Sequence, residues 1–297
     1  MLDQLSGKLD LIREIAAKET LVVTGAAKSG TTWLQRMLNS HPEVYCPGEG
    51  KFREFFLGFA SAANEYNKVV ANTNRVVYTE GGAFYQPWDD ANVVAGIQFL
   101  IALSWATSHH DKDLSRVRYI GDKDTQYCDN IEIWRDQVLK DARFVHVVRD
   151  GRDSAVSIAF HKKRTGTFKE DADFHKFLET YARGWANRVR VMREAFAACP
   201  ERYHEVRYED LLADPESYLG RILEFLGVES TPQIISRIVE ENSFRRLSGG
   251  RESGQENPNS FYRKGVAGDW QTHFDEHARR IFNEGSGGML ASLGCAP

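Results

Sequence analysis

Residues 20–24 read TLVVT, and the run halts on Gly25. A short apolar, β-branched run stopped by glycine predicts a strand buried on both faces. Gly25-Ala26-Ala27-Lys28-Ser29-Gly30 follows, and Thr31 to Asn39 then takes helical spacing. This strand–turn–helix unit restricts the fold more than any other segment. Small residues let the turn curl until several N–H groups face one point, and the helix start adds its own N–H groups and the positive end of its dipole. Such a nest binds phosphate. Lys28 brings a full charge to it, and Thr31 and Thr32 bring hydroxyl donors. The unit departs from the nucleoside-triphosphate pattern G-x-x-x-x-G-K-[ST], because Thr31 stands where the lysine belongs and Lys28 lies inside the turn.

The rest of the chain supplies more of the same alternation. Phe144 to Val148 (FVHVV) predicts a second buried strand, Arg118 to Ile120 a weaker one, and Tyr203 to Tyr208 a third core strand. Helices are expected over Asn130–Leu139, from Ser154 to Phe160, over Ala172–Ala198, and from Asp214-Pro215 to Phe225 with Gly227 as the stop. Asn92 to Trp105 reads as a buried helix. Alternating strands and helices imply βαβ units: an α/β fold in three layers, with a central, mostly parallel sheet flanked by helices. No shift in composition asks for a boundary, so one domain over residues 1–297 is expected. Only Ser243 to Lys264 looks irregular, and loops that long are functional lids or disordered.

Composition narrows the function. Acidic residues outnumber basic ones, 42 to 38, for a formal charge of −4. That argues against a general nucleic-acid binder, whose affinity comes from excess Lys and Arg, and leaves room for a local basic pocket. Cys46, Cys128, Cys199 and Cys295 are scattered, with no C-x-x-C pair and no zinc spacing, so free thiols in a reducing compartment are expected. The charged, amphipathic N-terminal stretch is no signal peptide, and no run reaches the ~18 apolar residues of a membrane span. The expected location is cytoplasmic, and a homo-oligomer stays possible.

Two further clusters stand out. The strand at Phe144–Val148 empties into Arg149, where an open parallel sheet binds its ligands, and Arg149 offers a planar fork for phosphate. Ser157 follows about two turns along the next helix. An Arg–Asp surface cluster explains this segment equally well, and Asp150 also imitates the magnesium-binding carboxylate of a kinase or NTPase. Late in the chain, Arg263-Lys264-Gly265 sets two cations beside a glycine and could clamp an anion; a solvated basic turn is the plain alternative.

In this order the segments resemble the sulfotransferases that use 3′-phosphoadenosine 5′-phosphosulfate (PAPS). Lys28 to Trp33 (KSGTTW) is similar to that family's 5′-phosphosulfate loop, Arg149 with Ser157 to its 3′-phosphate site, and Arg263-Lys264-Gly265 to its C-terminal clamp. Tyr208-Glu209-Asp210-Leu211, with Asp214-Pro215 after it, matches a further family segment. The resemblance runs from Thr20 to about Trp270. It implies a P-loop-like α/β domain in which Lys28, Ser29, Gly30, Thr31 and Thr32 hold the 5′-phosphosulfate. Trp33 would stack on adenine, Tyr208 would touch it, and Arg149, Ser157, Arg263, Lys264 and Gly265 would hold the 3′-phosphate. It implies PAPS as co-substrate without a metal, and a small-molecule or carrier-bound hydroxyl as acceptor.

The resemblance also locates the base, with a departure. Cytosolic members place a histidine in a lysine-threonine-histidine segment; here Gly121-Asp122-Lys123-Asp124-Thr125 keeps Lys123 but has Thr125 at the histidine position. The G-D-K form is more like the membrane-type, carbohydrate and tyrosyl-protein branches, which use a glutamate soon after the first helix. Glu49, in Pro47-Gly48-Glu49-Gly50-Lys51, stands there. Glu49 is the expected base, Glu54 the reserve and His161 the alternative; Lys51 and Lys123 are placed to stabilise the sulfuryl group or the leaving oxygen. Without the anchor and disulfides of those branches, the chain reads as a soluble, intracellular, bacterial enzyme. A kinase-like NTPase and an inactive nucleotide-binding member are the competing readings. The acceptor is not readable: Phe52–Phe59 and Phe84-Tyr85-Gln86-Pro87-Trp88 suit an acceptor pocket and core packing equally.

Overall fold

The computed structural model describes residues 2–77, 85–108, 112–167 and 172–295. At its centre lies a five-stranded sheet built from β1 (Glu19–Gly25), β2 (Val44–Tyr45), β3 (Tyr119–Lys123), β4 (Arg143–Val148) and β5 (Tyr203–Arg207), in the order β2-β3-β1-β4-β5. Every neighbouring pair is parallel. All five carboxyl ends therefore open on one edge.

Helices cover both faces. In chain order the longer ones begin with α1 (Leu2–Ala16), α2 (Thr31–Asn39), α3 (Phe52–Val77) and α4 (Asp90–Thr107). A short α5 (Ile131–Ile133) precedes α6 (Gly151–Arg164), α7 (Ala172–Phe196) and α8 (Tyr208–Ala213). Then come α9 (Pro215–Leu226), α10 (Pro232–Glu241), α11 (Phe244–Leu247) and α12 (Glu276–Ser286). Alternation along the strands splits the core. Leu21 and Val23 of β1, with Val145 and Val147 of β4, meet Leu34 of α2 and Leu223 of α9. Val22 and Phe144 face the other way, onto Trp105 of α4 and Phe196 of α7. The result is the expected three-layer arrangement.

Chain order sets where the ligand crevice falls. After β1 the chain moves out to β2 and β3 on one side, and after β4 it moves to β5 on the other. The connections diverge between β1 and β4, which is where open α/β sheets leave a crevice. The turn after β1 and Arg149 after β4 both lie at that point.

Several expectations need correction. β5 is an edge strand rather than a core strand, with Val206 its only buried residue. Asn130–Leu139 is not one helix: α5 passes into a π-helical turn over Trp134–Val138. α4 forms where a buried helix was expected, but only 28% of it is buried. That helix is also long and apolar enough to cross a membrane by length and composition; in the fold, Ile97, Ile101 and Trp105 pack into the core. Phe52–Phe59 opens the long helix α3, with Phe52 buried and Phe56 and Phe59 packed beside it. Of the second aromatic run, Phe84 lies outside the described residues. Within Ser243–Lys264 the structure adds α11 and is otherwise free of helix and strand.

Candidate active site

The strand ends meet in one cleft of about 490 Å³. Each of the five strands delivers something to it: β1 the Lys28 turn, β2 the loop with Glu49, β3 Lys123, β4 Arg149 and β5 Tyr208. Ser157 and His161 come from α6, and Arg263, Lys264 and Gly265 from the late irregular segment. Of the residues singled out in the sequence, Lys28, Gly30, Thr31, Thr32, Trp33, Glu49, Lys123, Arg149, Ser157, Tyr208, Arg263, Lys264 and Gly265 all line this cleft. Ser29 is fully buried beneath the turn, and its Oγ has no partner. Glu54 is not brought in. It is largely exposed and pairs with Arg53 at 3.5 Å.

The first turn is tight because its residues permit it. Lys28 takes φ +66° and Gly30 +98°, both left-handed. A Cβ on Gly30 would collide with the Tyr208 ring. Thr31 and Thr32 open α2, so their N–H groups have no carbonyl ahead of them and remain free for a ligand. The Lys28 ammonium lies 4.2 Å from the centre of the Phe261 ring. No carboxylate among the described residues pairs with it. Burial, reinforced by Arg164, Arg149, Lys123 and Arg263, pushes its pKa down to about 8. A cation crowded by cations marks a place built for an anion.

Arg149 joins this turn to the late segment. One Nη donates to the Lys28 carbonyl at 3.1 Å, the other to the Val266 carbonyl at 3.1 Å. Its guanidinium lies 4.4 Å from the Tyr208 ring centre, and its buried Nε is unpartnered. Two of its donors are thus taken by main chain, so a two-pronged grip on phosphate is not its resting state. Arg263 is likewise engaged: it pairs with Glu256 at 2.5 Å and with Asp269, which also takes Lys264 at 2.5 Å. Gly265, at φ +68°, lets the chain pass directly under the Phe244 ring.

Glu49 lines the same cleft. Its loop is sewn to β3: the Gly50 N–H donates to Asp122 at 2.6 Å, and the Lys123 N–H to the Gly48 carbonyl at 3.0 Å. Burial keeps the Asp122 carboxyl high, at about 6, despite that bond and another from Tyr127. Glu49 itself pairs with Lys123 through Oε1 and Lys51 through Oε2. Burial raises its pKa, but the bonds and charges of the two lysines outweigh that and hold it below the ordinary value. It is a carboxylate kept ionised beside the cations. His161 lines the same space with its pKa lowered by burial, Lys28 and Arg164.

Asp150 does not face the cleft. It caps α6, accepting from the Arg152 N–H at 2.9 Å, and pairs with the Arg152 guanidinium at 2.8 Å. A magnesium role for it would require breaking that pair. Among the described residues, no group of three or more His, Cys, Asp or Glu side chains is placed to hold a metal ion. Sequence reasoning missed the apolar wall made by Leu212, Val239, Phe244 and Leu247 beside Trp33. These residues come from α8, α10 and α11, and nothing in their spacing separates them from ordinary core positions.

Sulfotransferase 1E1 of Mus musculus is 24% identical over 160 residues, which cover 49% of this chain and 54% of that protein. The chain thus matches about half the length of such curated relatives. The crystal structure of a mouse sulfotransferase complexed with PAP superposes with a TM-score of 0.58 at 17% identity, over 96% of this chain and 90% of the other. A retinol dehydratase in complex with androsterone and PAP gives 0.52 at 19% identity, over 91% and 80%. At such identities the likeness is one of fold. A sequence model of the sulfotransferase family matches residues 20–232, more than half of the chain, and by that match the chain belongs to the sulfotransferase family.

Proposed function

We propose that this chain moves the sulfuryl group of PAPS to an acceptor hydroxyl by in-line transfer, leaving PAP (3′-phosphoadenosine 5′-phosphate). What supports the reading is the convergence on one cleft of the Lys28 turn, Arg149, Arg263 and Lys264, with Trp33 and Tyr208 beside an apolar wall and the ionised Glu49 carboxylate in the same lining. A ligand with charge at two ends of an adenosine fits that layout; ATP would leave the second station empty. The solved relative holding PAP supports the choice of nucleotide.

In this reading the Lys28 turn receives the 5′-phosphosulfate and the slot takes adenine. Arg149, Ser157, Arg263, Lys264 and Gly265 meet the 3′-phosphate. The acceptor oxygen, sulfur and leaving oxygen must lie in line. Glu49 takes the acceptor proton as the new O–S bond forms. The bond from sulfur to the bridging oxygen breaks, and Lys28 and Lys123 follow the charge onto the leaving phosphate. Arrival of the phosphosulfate draws Lys123 away from Glu49, which raises the carboxylate's pKa towards that of a working base. His161, neutral in the same space, is the second reading for the base.

The relative that holds androsterone supports a small-molecule acceptor with an apolar body. Four cysteines without a disulfide fit a cytoplasmic setting. Calorimetry tests the nucleotide. Each charged hydrogen bond to the 3′-phosphate is worth about 1.5–3 kcal/mol, so PAP should bind at least about 100-fold tighter than 5′-AMP, and ATP with Mg²⁺ should add little thermal stability. Equal affinity for PAP and 5′-AMP refutes the assignment.

A further inference from the structure

Arg251 does not line the cleft, yet it sits at the centre of the segment that delivers Arg263, Lys264 and Gly265. Its Nη1 donates to the carbonyl oxygens of Gln255 at 2.8 Å and Arg263 at 2.9 Å. Its Nη2 donates to Ser260 Oγ at 2.9 Å and to the Tyr262 carbonyl. The guanidinium also lies 5.4 Å from the centre of the Phe244 ring. Around it the chain doubles back on itself. The Gly254 N–H donates to the Lys264 carbonyl at 2.9 Å, the Asn257 N–H to the Arg263 carbonyl at 2.9 Å, and Ser253 Oγ to the Gly265 carbonyl at 2.6 Å. Neither arm is helix or strand.

A loop without regular structure must find donors for its inward carbonyls elsewhere. Arginine carries five donors in a rigid plane and is never deprotonated, so one side chain can serve both arms at once. Lysine cannot: its three donors leave a single point. The far end of the loop is fixed by the acids that hold Arg263 and Lys264.

We propose that Arg251 is a positioning residue for the nucleotide site, holding residues 251–265 as a preformed strap that presents Arg263, Lys264 and Gly265 before any nucleotide arrives. The inference rests on the reading that these three residues meet the 3′-phosphate. With Arg251 in place, the ordering of the strap is completed on folding. Without it, that ordering is charged to each binding event, and only ligands that use the strap suffer.

The test compares wild type, Arg251→Ala and Arg251→Lys by calorimetry with PAP and with 5′-AMP, and by hydrogen exchange of the strap without nucleotide. Arg251→Ala should bind PAP at least about tenfold more weakly and 5′-AMP within about threefold of wild type, with Arg251→Lys in between. Amides in 253–265 should exchange faster in the nucleotide-free variant and regain protection when PAP is added. The rest of the chain should exchange as before, which separates the effect from general unfolding. PAP affinity at the wild-type level, or equal losses for both nucleotides, overturns the proposal. So does unchanged strap exchange in both variants. A wild type that does not prefer PAP refutes the functional reading instead, and the exchange measurement still decides whether Arg251 orders the strap.

Discussion

Glu49→Gln keeps the side chain's size and removes its charge. In the free protein that charge is shared between an inner lysine and an outer one: the Lys123 side chain is 6% exposed and that of Lys51 53%. The outer pair is screened and is worth at most about 1 kcal/mol. The inner bond is charge-assisted and shielded, about 1.5–3 kcal/mol, and an amide oxygen retains part of it. The variant should therefore lose roughly 1–2 kcal/mol of stability, which denaturant titration resolves. Turnover should fall much further, by about 10²–10⁴-fold, because no basic oxygen remains. PAP affinity should stay level or rise, since Lys123 no longer has a counter-ion to leave. The pH profile adds a fourth readout. The base works only when ionised, so wild-type kcat/KM should be lost as pH falls through a value below the ordinary 4.5, and this limb should vanish in the variant. If bound phosphosulfate draws the lysines from Glu49, as the proposed function requires, the limb seen in kcat should lie higher. Near-normal turnover in Glu49→Gln, with turnover abolished in His161→Ala, refutes the reasoning and moves the base to His161.

Lys28→Ala should lower kcat more than it weakens PAP binding, because the ammonium bonds most strongly to charge that develops on the leaving oxygen. Lys28 is charged only below its lowered pKa of about 8, so wild-type kcat/KM should fall as pH rises through that value, and the limb should be absent in the variant. Gly30→Ala forces an L residue to φ +98° and drives its Cβ into the Tyr208 ring. It should cost about 2–4 kcal/mol in a melt and abolish PAP binding, whereas Gly184→Ala, with nothing closer than 3.9 Å, should be benign. His146 is buried with Nδ1 at 2.7 Å from the Tyr203 hydroxyl, and burial pushes its pKa down to about 4 from 6.5. The unfolded chain takes up this proton first, so stability is retained above pH 6.5 and drains as pH falls towards about 4. On the order of 2 kcal/mol should go between about pH 7 and pH 5, and His146→Gln should flatten that slope in urea titrations.

Much of the lining of the candidate site could be read from sequence because its residues stand directly at strand exits. A run such as TLVVTG or FVHVVR announces both the strand and the residue that leaves it, so Lys28 and Arg149 were legible together. β2 was not legible. Its two residues, Val44 and Tyr45, are too few to show any period, yet their place beyond β3 brings Glu49 to Lys123. α3 carries Phe52, Phe56, Phe59 and Ala63 at helical spacing, but its density of aromatics masked that period. The wall from Leu212 to Leu247 depends on where three helices stop, which no local pattern records. The acids facing Arg263 were equally hidden. Asp269 is six residues away in the chain, and its partnership with the clamp exists only once the segment has folded back.

Arg149 ties the carbonyl of Lys28 to that of Val266 through the two prongs of one rigid plane. A plane has a fixed width, so while both bonds hold, the first turn and the late segment are kept at the spacing of the fork. The protein in effect carries its own gauge. An insertion in either loop would move one carbonyl off the fork and forfeit that hydrogen bond, so a change in one loop is felt by the other although the two are distant in the chain.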